Sequence, residues 1–320
     1  MNDITIIVPC FNEENNIPIF YSRVSEVIKA ILEKHKVSSK ILFIDDGSSD
    51  NTAEQLKSLA QEHSEVVDYI IFSRNFGKEA ALMAGFSYAN SDYTVVMDAD
   101  LQDPPELLEE MLLGIKDEGY DCVATRRTNR KGEPFIRSCF SRLFYFIMRK
   151  LSGLPIADGA RDFRMINKPM LNSLLKLQEA NRFSKGLFPW IGFKTKWLEF
   201  ENVERTSGNT KWSFIKLVFY ALDGIAAFSS VPLITVSVFG IISMIISLLM
   251  IIFVIVRKLM YGDPVTGWPS LVCIILFTSS IQYFFIGILG FYIAKIYNET
   301  KRRPQFLIKN SSLDKITDSI

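Results

Sequence analysis

A doubly wound α/β domain followed by two transmembrane helices is the fold this sequence predicts. Short apolar runs alternate with helical patterns, giving four strand–helix units in roughly a hundred residues. The runs are apolar on both faces, as in a parallel sheet covered on each side. Late in the chain, Val231–Val256 and Trp268–Ala294 carry no charged side chain. At about 1.5 Å per helical residue, each exceeds a hydrocarbon core of roughly 30 Å.

Ile4–Pro9 is the first expected strand, and Cys10–Asn16 a polar loop whose Asn12, Glu13 and Glu14 can meet a ligand. Ile17–Lys34 has helical apolar spacing, and Ile41–Ile44 is the second strand. That strand runs into Asp45-Asp46-Gly47-Ser48-Ser49-Asp50, which can cap the next helix and offer a carboxylate and backbone N–H groups to a nucleoside. Tyr69–Ser73 is the third strand, and Glu79–Tyr88 a helix rich in small residues. The fourth strand ends in Asp98-Ala99-Asp100-Leu101-Gln102-Asp103, ahead of a helix from about Pro105 to Glu118 with Asp103 as its expected N-cap. Asp121–Thr125 is a further short strand.

Ligands of open α/β sheets bind beyond the carboxyl ends of the strands, where these acidic clusters fall. Asp98 and Asp100, two apart in an extended chain, can face one point. Paired carboxylates suit Mg²⁺ or Mn²⁺ shared with substrate phosphates.

The net charge of +1 gives no whole-chain field for nucleic acid, so none is expected as a partner. Cys10, Cys122, Cys139 and Cys273 lack metal-type spacing and read as small core residues in a reducing compartment. His35 and His63 lie in polar helical stretches and receive no role. Phe135–Leu151 alternates aromatic and basic residues, a basic amphipathic helix suited to a membrane surface, and Ser213–Ser230 is a second such stretch. The chain opens directly on an apolar strand, so no signal peptide is expected. Lys211 and Lys216 precede the first span and Lys295, Lys301, Arg302 and Arg303 flank the second, against Arg257 and Lys258 between them. The positive-inside rule then places the large N-terminal domain and both termini in the cytosol, with two passes through what is expected to be the inner (plasma) membrane. The expected domains are a cytosolic domain over 1–212, a juxtamembrane helix over 213–230, a hairpin over 231–296, and a polar, mobile tail over 297–320. Gly240, Ser243 and Ser247 in the first span can pack against a neighbour, making a homo-oligomer plausible.

Six motifs, in order, resemble glycosyltransferase family 2 with the GT-A (Rossmann-like) fold. They are Val8-Pro9-x-Phe11-Asn12-Glu13-Glu14, Asp45 to Asp50, Asn75-Phe76-Gly77-Lys78, Asp98 to Asp103, Asp162-Phe163-Arg164, and Arg205 to Lys211. More narrowly, the chain is similar to the polyprenyl-phosphate glycosyltransferases, with a two-span C-terminus like the bactoprenol glucosyltransferase branch. The resemblance implies that Pro9, Asn12, Glu14, Asp46, Lys78 and Asp98 bind the nucleotide sugar. It implies that Asp98 and Asp100, with Gln102 nearby, hold Mg²⁺ or Mn²⁺ on the diphosphate. Arg126, Arg137, Arg205 and Lys211 match positions that grip the lipid phosphate, the last two as a lid. Asp162 would be the base or acceptor-positioning carboxylate, catalytic together with Asp100; Arg161 stands before it where a small residue is commoner in the family. The implied reaction is inverting transfer of a hexose, glucose from UDP-glucose first among candidates, to polyprenyl (undecaprenyl) phosphate in the bilayer. N-acetylhexosamine, mannose and aminoarabinose are the alternative sugars. A processive polysaccharide synthase would need a Gln-x-x-Arg-Trp segment and more spans, and this sequence has neither. A non-enzymatic nucleotide sensor would have no need of all the acidic motifs.

Overall fold

The computed structural model describes residues 3–128, 146, 148, 150, 153, 157, 159–200, 224, 227–261 and 267–313. Strands β1 (Asp3–Cys10), β2 (Ser38–Asp45), β3 (Val67–Phe72) and β4 (Tyr93–Val96) alternate with helices α1 (Ile17–His35), α2 (Thr52–Glu62) and α3 (Lys78–Tyr88). Helix α4 (Leu107–Lys116) and strand β5 (Cys122–Arg127) follow, then β6 (Ala160–Asn167), α5 (Lys168–Leu175), α6 (Ser184–Trp190) and β7 (Thr195–Phe200). Two long helices, α7 (Val231–Tyr261) and α8 (Trp268–Lys301), precede a last strand, β8 (Ile308–Ser311).

The strands form one eight-stranded sheet in the order β7-β5-β6-β4-β1-β2-β3-β8. Side-chain alternation divides the core between its faces. Ile4, Ile6 and Val8 of β1 and Phe43 of β2 pack under α1, α2 and α4. Ile7, Leu42 and Ile44 point the other way, toward α3, α5 and α6. The doubly wound expectation therefore holds for β1 to β4, whose pairings with β1 and β2 are parallel.

Three strands differ from expectation. β6 lies in the sheet, antiparallel to both β4 and β5, where no strand is expected from the sequence. Its Arg161, Asp162 and Arg164 interrupt the apolar pattern that would otherwise have marked it. β7 extends the far edge parallel to β5. β8 pairs antiparallel with β3, so the expected mobile tail is instead sheet edge through Ser311, and the sheet domain is not confined to the segment before the long helices. Phe306 stacks on Phe72 at 5.2 Å between ring centroids and helps seat that return.

Contrary to expectation, Asp103 does not cap α4; Glu106 holds that position without a side-chain cap bond, and Asp103 pairs with Arg161 instead. Buried Cys10 and Cys122 are free thiols, in line with their reading as core residues. Both α7 and α8 contain stretches long and apolar enough to cross a membrane. They expose Ile234, Leu248, Phe253, Phe277, Phe284 and Ile293, which a water-facing helix would bury. The basic amphipathic helix lies outside the described residues except for Phe146, Met148 and Lys150; so do Arg137, Arg205, Lys211 and most of 213–230.

Gly47 shows why the β2–α2 turn needs glycine. Its φ is +67°, and a Cβ there would come within 2.3 Å of the Arg74 carbonyl carbon and 2.7 Å of the Asn75 nitrogen. Gly77 also has positive φ, +100°, but open space around it. Positive φ alone costs a non-glycine residue about 1–3 kcal/mol. Gly47→Ala is therefore expected to lower the thermal midpoint of the full-length protein more than Gly77→Ala. Equal losses would show that backbone conformation, not the close approach, sets the requirement.

Candidate active site

The acidic clusters gather at one edge of the sheet because β1, β2 and β4 are parallel and end together. β6 enters that edge from the opposite direction. Its register sets Arg164 opposite Val96, so Asp162, two residues earlier, lies across from Asp98, two residues later. Lys78, the first residue of α3, joins them: its Nζ donates to Asp98 Oδ1 at 2.7 Å and to Asp162 Oδ2 at 2.6 Å. One ammonium thus bridges two carboxylates from different strands.

The electrostatics of this triad are strongly coupled. Burial opposes the charge on Lys78, but Asp162 and Asp98 outweigh it and hold the amine well above its usual range. Burial likewise opposes ionisation of Asp162, yet Lys78, Lys185 and Arg164 hold its carboxyl well below the usual carboxylate range. Asp162 is therefore a carboxylate held ionised by its neighbours.

Asp100 Oδ1 accepts the backbone N–H of Gln102 at 3.2 Å, closing a turn around Leu101, whose φ is +52°. Gln102 Oε1 accepts from Arg127 at 2.8 Å, so its carbonyl oxygen is engaged by a guanidinium. Arg161 donates to both oxygens of Asp103, at 2.8 and 3.2 Å, a bidentate pair fastening the β4 loop to β6. Among the described residues no group of three or more His, Cys, Asp and Glu side chains could hold a metal ion. Two hard carboxylates, Asp98 and Asp100, are nevertheless what Mg²⁺ or Mn²⁺ takes from a protein when substrate phosphates supply the remaining oxygens. On donor chemistry the residues fit such an ion.

The proposed nucleoside-binding residues stitch loops together. Asn12, at φ +54°, donates its backbone N–H to Ser48 Oγ, and its Oδ1 accepts from Ser49 N at 2.9 Å. Glu14 Oε2 accepts from Asn51 N at 3.0 Å. Pro9 sits in β1 opposite Ile44. Asp46, almost fully buried, accepts the backbone N–H groups of Phe76 at 2.6 Å and Gly77 at 2.9 Å. Burial raises its carboxyl above the usual range, against the pull of those two amides. These residues thus shape the walls of the edge, and Asp46 anchors the turn that presents Lys78. Arg126 pairs with Glu199 on the neighbouring β7.

Three participants escaped the sequence reading. Lys185 lowers the Asp162 carboxyl through space. Arg164, buried, donates to the Arg161 carbonyl at 2.8 Å and lies 3.8 Å from the centre of the Phe188 ring. Glu79 accepts the Ser184 backbone N–H at 3.1 Å and ties α3 to α6. Arg164 belonged to the Asp-Phe-Arg motif and was open to detection; Lys185 and Glu79 act across elements and carry no local signature.

The family model for glycosyl transferase family 2 matches residues 5–175. CsbB of Bacillus subtilis (strain 168), a protein named as a glycosyltransferase, is 44% identical over 310 residues, covering 97% of this chain and 92% of that one. The bactoprenol glucosyl transferase of Shigella phage SfV is 38% identical over 307 residues, covering 96% of this chain and 98% of its own. Among solved structures, glucosyl-3-phosphoglycerate synthase from Mycobacterium tuberculosis covers 70% of this chain and 78% of its own, at 18% identity and a TM-score of 0.44. The chain is a glycosyltransferase with a GT-A, Rossmann-like catalytic domain, and it belongs to glycosyltransferase family 2.

Proposed function

We propose that the protein transfers a hexose, with inversion, from a nucleotide diphosphate sugar to a polyprenyl phosphate at the cytosolic face of the plasma membrane. Glucose from UDP-glucose and undecaprenyl phosphate are the leading donor and acceptor. The observation that carries this reading is the Lys78 bridge between Asp98 and Asp162, set at the sheet edge of a chain with two helices long and apolar enough to cross a membrane. The name of the Shigella phage relative supports both lipid and sugar.

Asp98 and Asp100 would hold Mg²⁺ or Mn²⁺ against the donor diphosphate. When bound, the ion supplies Lewis-acid neutralisation of the charge that grows on the leaving nucleoside diphosphate. Lys78 presents a fixed cation beside Asp98, suited to the diphosphate. The loops stitched by Asn12, Glu14 and Asp46 give the nucleoside a preformed wall. The nucleophile is a phosphate oxygen, and with a second pKa of about 6 it is largely ionised at neutral pH. Asp162 has no proton to remove from it; held as a carboxylate, it aligns Lys78 and keeps the acceptor in line with the anomeric carbon. In this reading α7 and α8 cross the bilayer as a hairpin and bring the acceptor's headgroup level to the domain. Arg126, Arg137, Arg205 and Lys211 remain proposed contacts to the lipid phosphate.

The test uses the full-length protein in nanodiscs with undecaprenyl phosphate, labelled UDP-glucose and Mg²⁺ or Mn²⁺. A single labelled sugar in the lipid extract, abolished by a chelator, is the expected result. UDP-N-acetylglucosamine, GDP-mannose and UDP-aminoarabinose are run beside it to rank the donors. Polymer formation, or no lipid product with any donor, would sink the proposal.

A further inference from the structure

A second built site lies where the end of α8 meets the catalytic domain. A cavity of about 370 Å³ is lined there by Glu79, Arg182, Lys301, Arg303 and Gln305, among others. None of Lys78, Asp98, Asp100 and Asp162 lines it.

Its walls are held in place from both sides. Glu299, near the end of α8, accepts the backbone N–H groups of Ala180 at 3.1 Å and Asn181 at 3.0 Å. Gln305 Nε2 donates to the Glu179 carbonyl at 2.7 Å. Lys301 and Arg303 are exposed on the rim. Arg182 is 9% exposed, and its guanidinium donates to the Leu177 carbonyl. Among the described residues its Nε has no hydrogen-bond partner, and neither has the buried Oε1 of Gln305. A buried donor and a buried acceptor left unmade are costly, so a wall carrying both is complementary to a ligand that accepts and donates. Three cations face one carboxylate, Glu79, which Ser184 already engages. Burial works against the Arg182 charge, with Glu79 and Glu179 resisting, so an added anion would relieve it.

The position selects the kind of anion. The uncharged run of α8 ends at Ala294 and the polar last turns from Lys295 to Lys301 lead to the cavity, so a helix that crosses a membrane brings this cavity to the headgroup side. We propose that the cavity binds the headgroup of an anionic membrane lipid, its phosphate taken by Arg182, Lys301 and Arg303. A headgroup hydroxyl would satisfy Gln305 Oε1. This goes beyond the transfer reaction and does not depend on the identity of the sugar.

Native mass spectrometry of the full-length protein, with phosphatidylglycerol, undecaprenyl phosphate or phosphatidylcholine added, tests it without turnover. Wild type is expected to retain anionic lipid and not phosphatidylcholine. Lys301→Glu/Arg303→Glu is expected to lower retention at least tenfold, while Lys301→Arg/Arg303→Lys keeps it. Lys29→Glu/Lys116→Glu makes the same charge change on α1 and α4 and is expected to retain lipid like wild type. Circular dichroism melts check that each variant is folded; should the double reversal fail that check, Lys301→Gln/Arg303→Gln is read by the same criteria. Loss confined to undecaprenyl phosphate assigns the cavity to the acceptor, and loss that includes phosphatidylglycerol assigns it to bulk anionic lipid. Retention by the rim variant within twofold of wild type overturns the proposal, as does an equal loss in Lys29→Glu/Lys116→Glu. Because retention is read without turnover, a failed transfer assay leaves this result standing.

Discussion

Asp100→Ala is expected to lower kcat by about 10²–10³-fold, the scale on which one preorganised electrostatic group contributes to a transition state. Asp162→Asn is expected to lose only about tenfold. A true general base contributes about 10²–10⁴-fold, and Asp162 is placed to do less. Lys78, Lys185 and Arg164 already hold it as a carboxylate, and the acceptor oxygen needs no deprotonation at neutral pH. Asparagine keeps an oxygen for Lys78 to donate to and removes only the charge. The pH behaviour follows with a definite sign. A carboxyl lowered on folding contributes stability above its unfolded pKa of about 3.9 and loses it as pH falls through the folded value. The stability difference between wild type and Asp162→Asn should therefore be flat from about pH 5 to 8 and shrink only in stronger acid. The wild-type kcat profile should show no limb assignable to Asp162 over that range. Equal losses in the two variants, with an acidic limb that disappears in Asp162→Asn, would restore Asp162 as the base.

The parts of this site that the sequence made legible are those built from contiguous chain. A parallel strand buried on both faces has to be apolar, and its carboxyl end has to return to polar loop. The runs Ile4–Pro9 and Ile41–Ile44 and the clusters after them therefore announce both strand and edge. The same logic failed for β6. An antiparallel strand at an active edge carries the charged residues the chemistry needs, and Arg161, Asp162 and Arg164 break up the apolar residues Ala160, Phe163, Met165 and Ile166. β8 is four residues long and owes its place to β3 and the Phe306–Phe72 stack, neither visible in its own composition. Roles were harder than positions. Asn12, Glu14 and Asp46 belong to the family's motifs, yet their polar atoms bond neighbouring backbone. Gln102 similarly serves Arg127, a pairing between the loop after β4 and the end of β5 that no spacing rule encodes.

Asp103→Ala is expected to destabilise the protein by about 3 kcal/mol, the low end of what removing one partner of a buried ion pair costs. Asp103 is 1% exposed, and its partner Arg161 retains 20% of its side-chain exposure, which lets water recover part of the orphaned charge. For a domain of about 200 residues that is a fall of roughly 6–12 °C in the thermal midpoint. Replacing both members, Asp103→Leu with Arg161→Met, should recover most of the loss, because a packed apolar pair avoids desolvating two charges. Activity should not recover with it. The bidentate Arg161–Asp103 contact fastens the loop carrying Asp98 and Asp100 to the strand carrying Asp162, and Lys78 spans the same gap. A hydrophobic pair restores packing without fixing the relative direction of loop and strand, so kcat should stay low while the midpoint returns. Circular dichroism melts and single-turnover rates on the same preparations separate the two quantities. If Asp103→Ala shifts the midpoint by less than about 2 °C, the pair is a solvated surface contact; if the double variant regains kcat as well, Arg161 stabilises the fold and does not position the site.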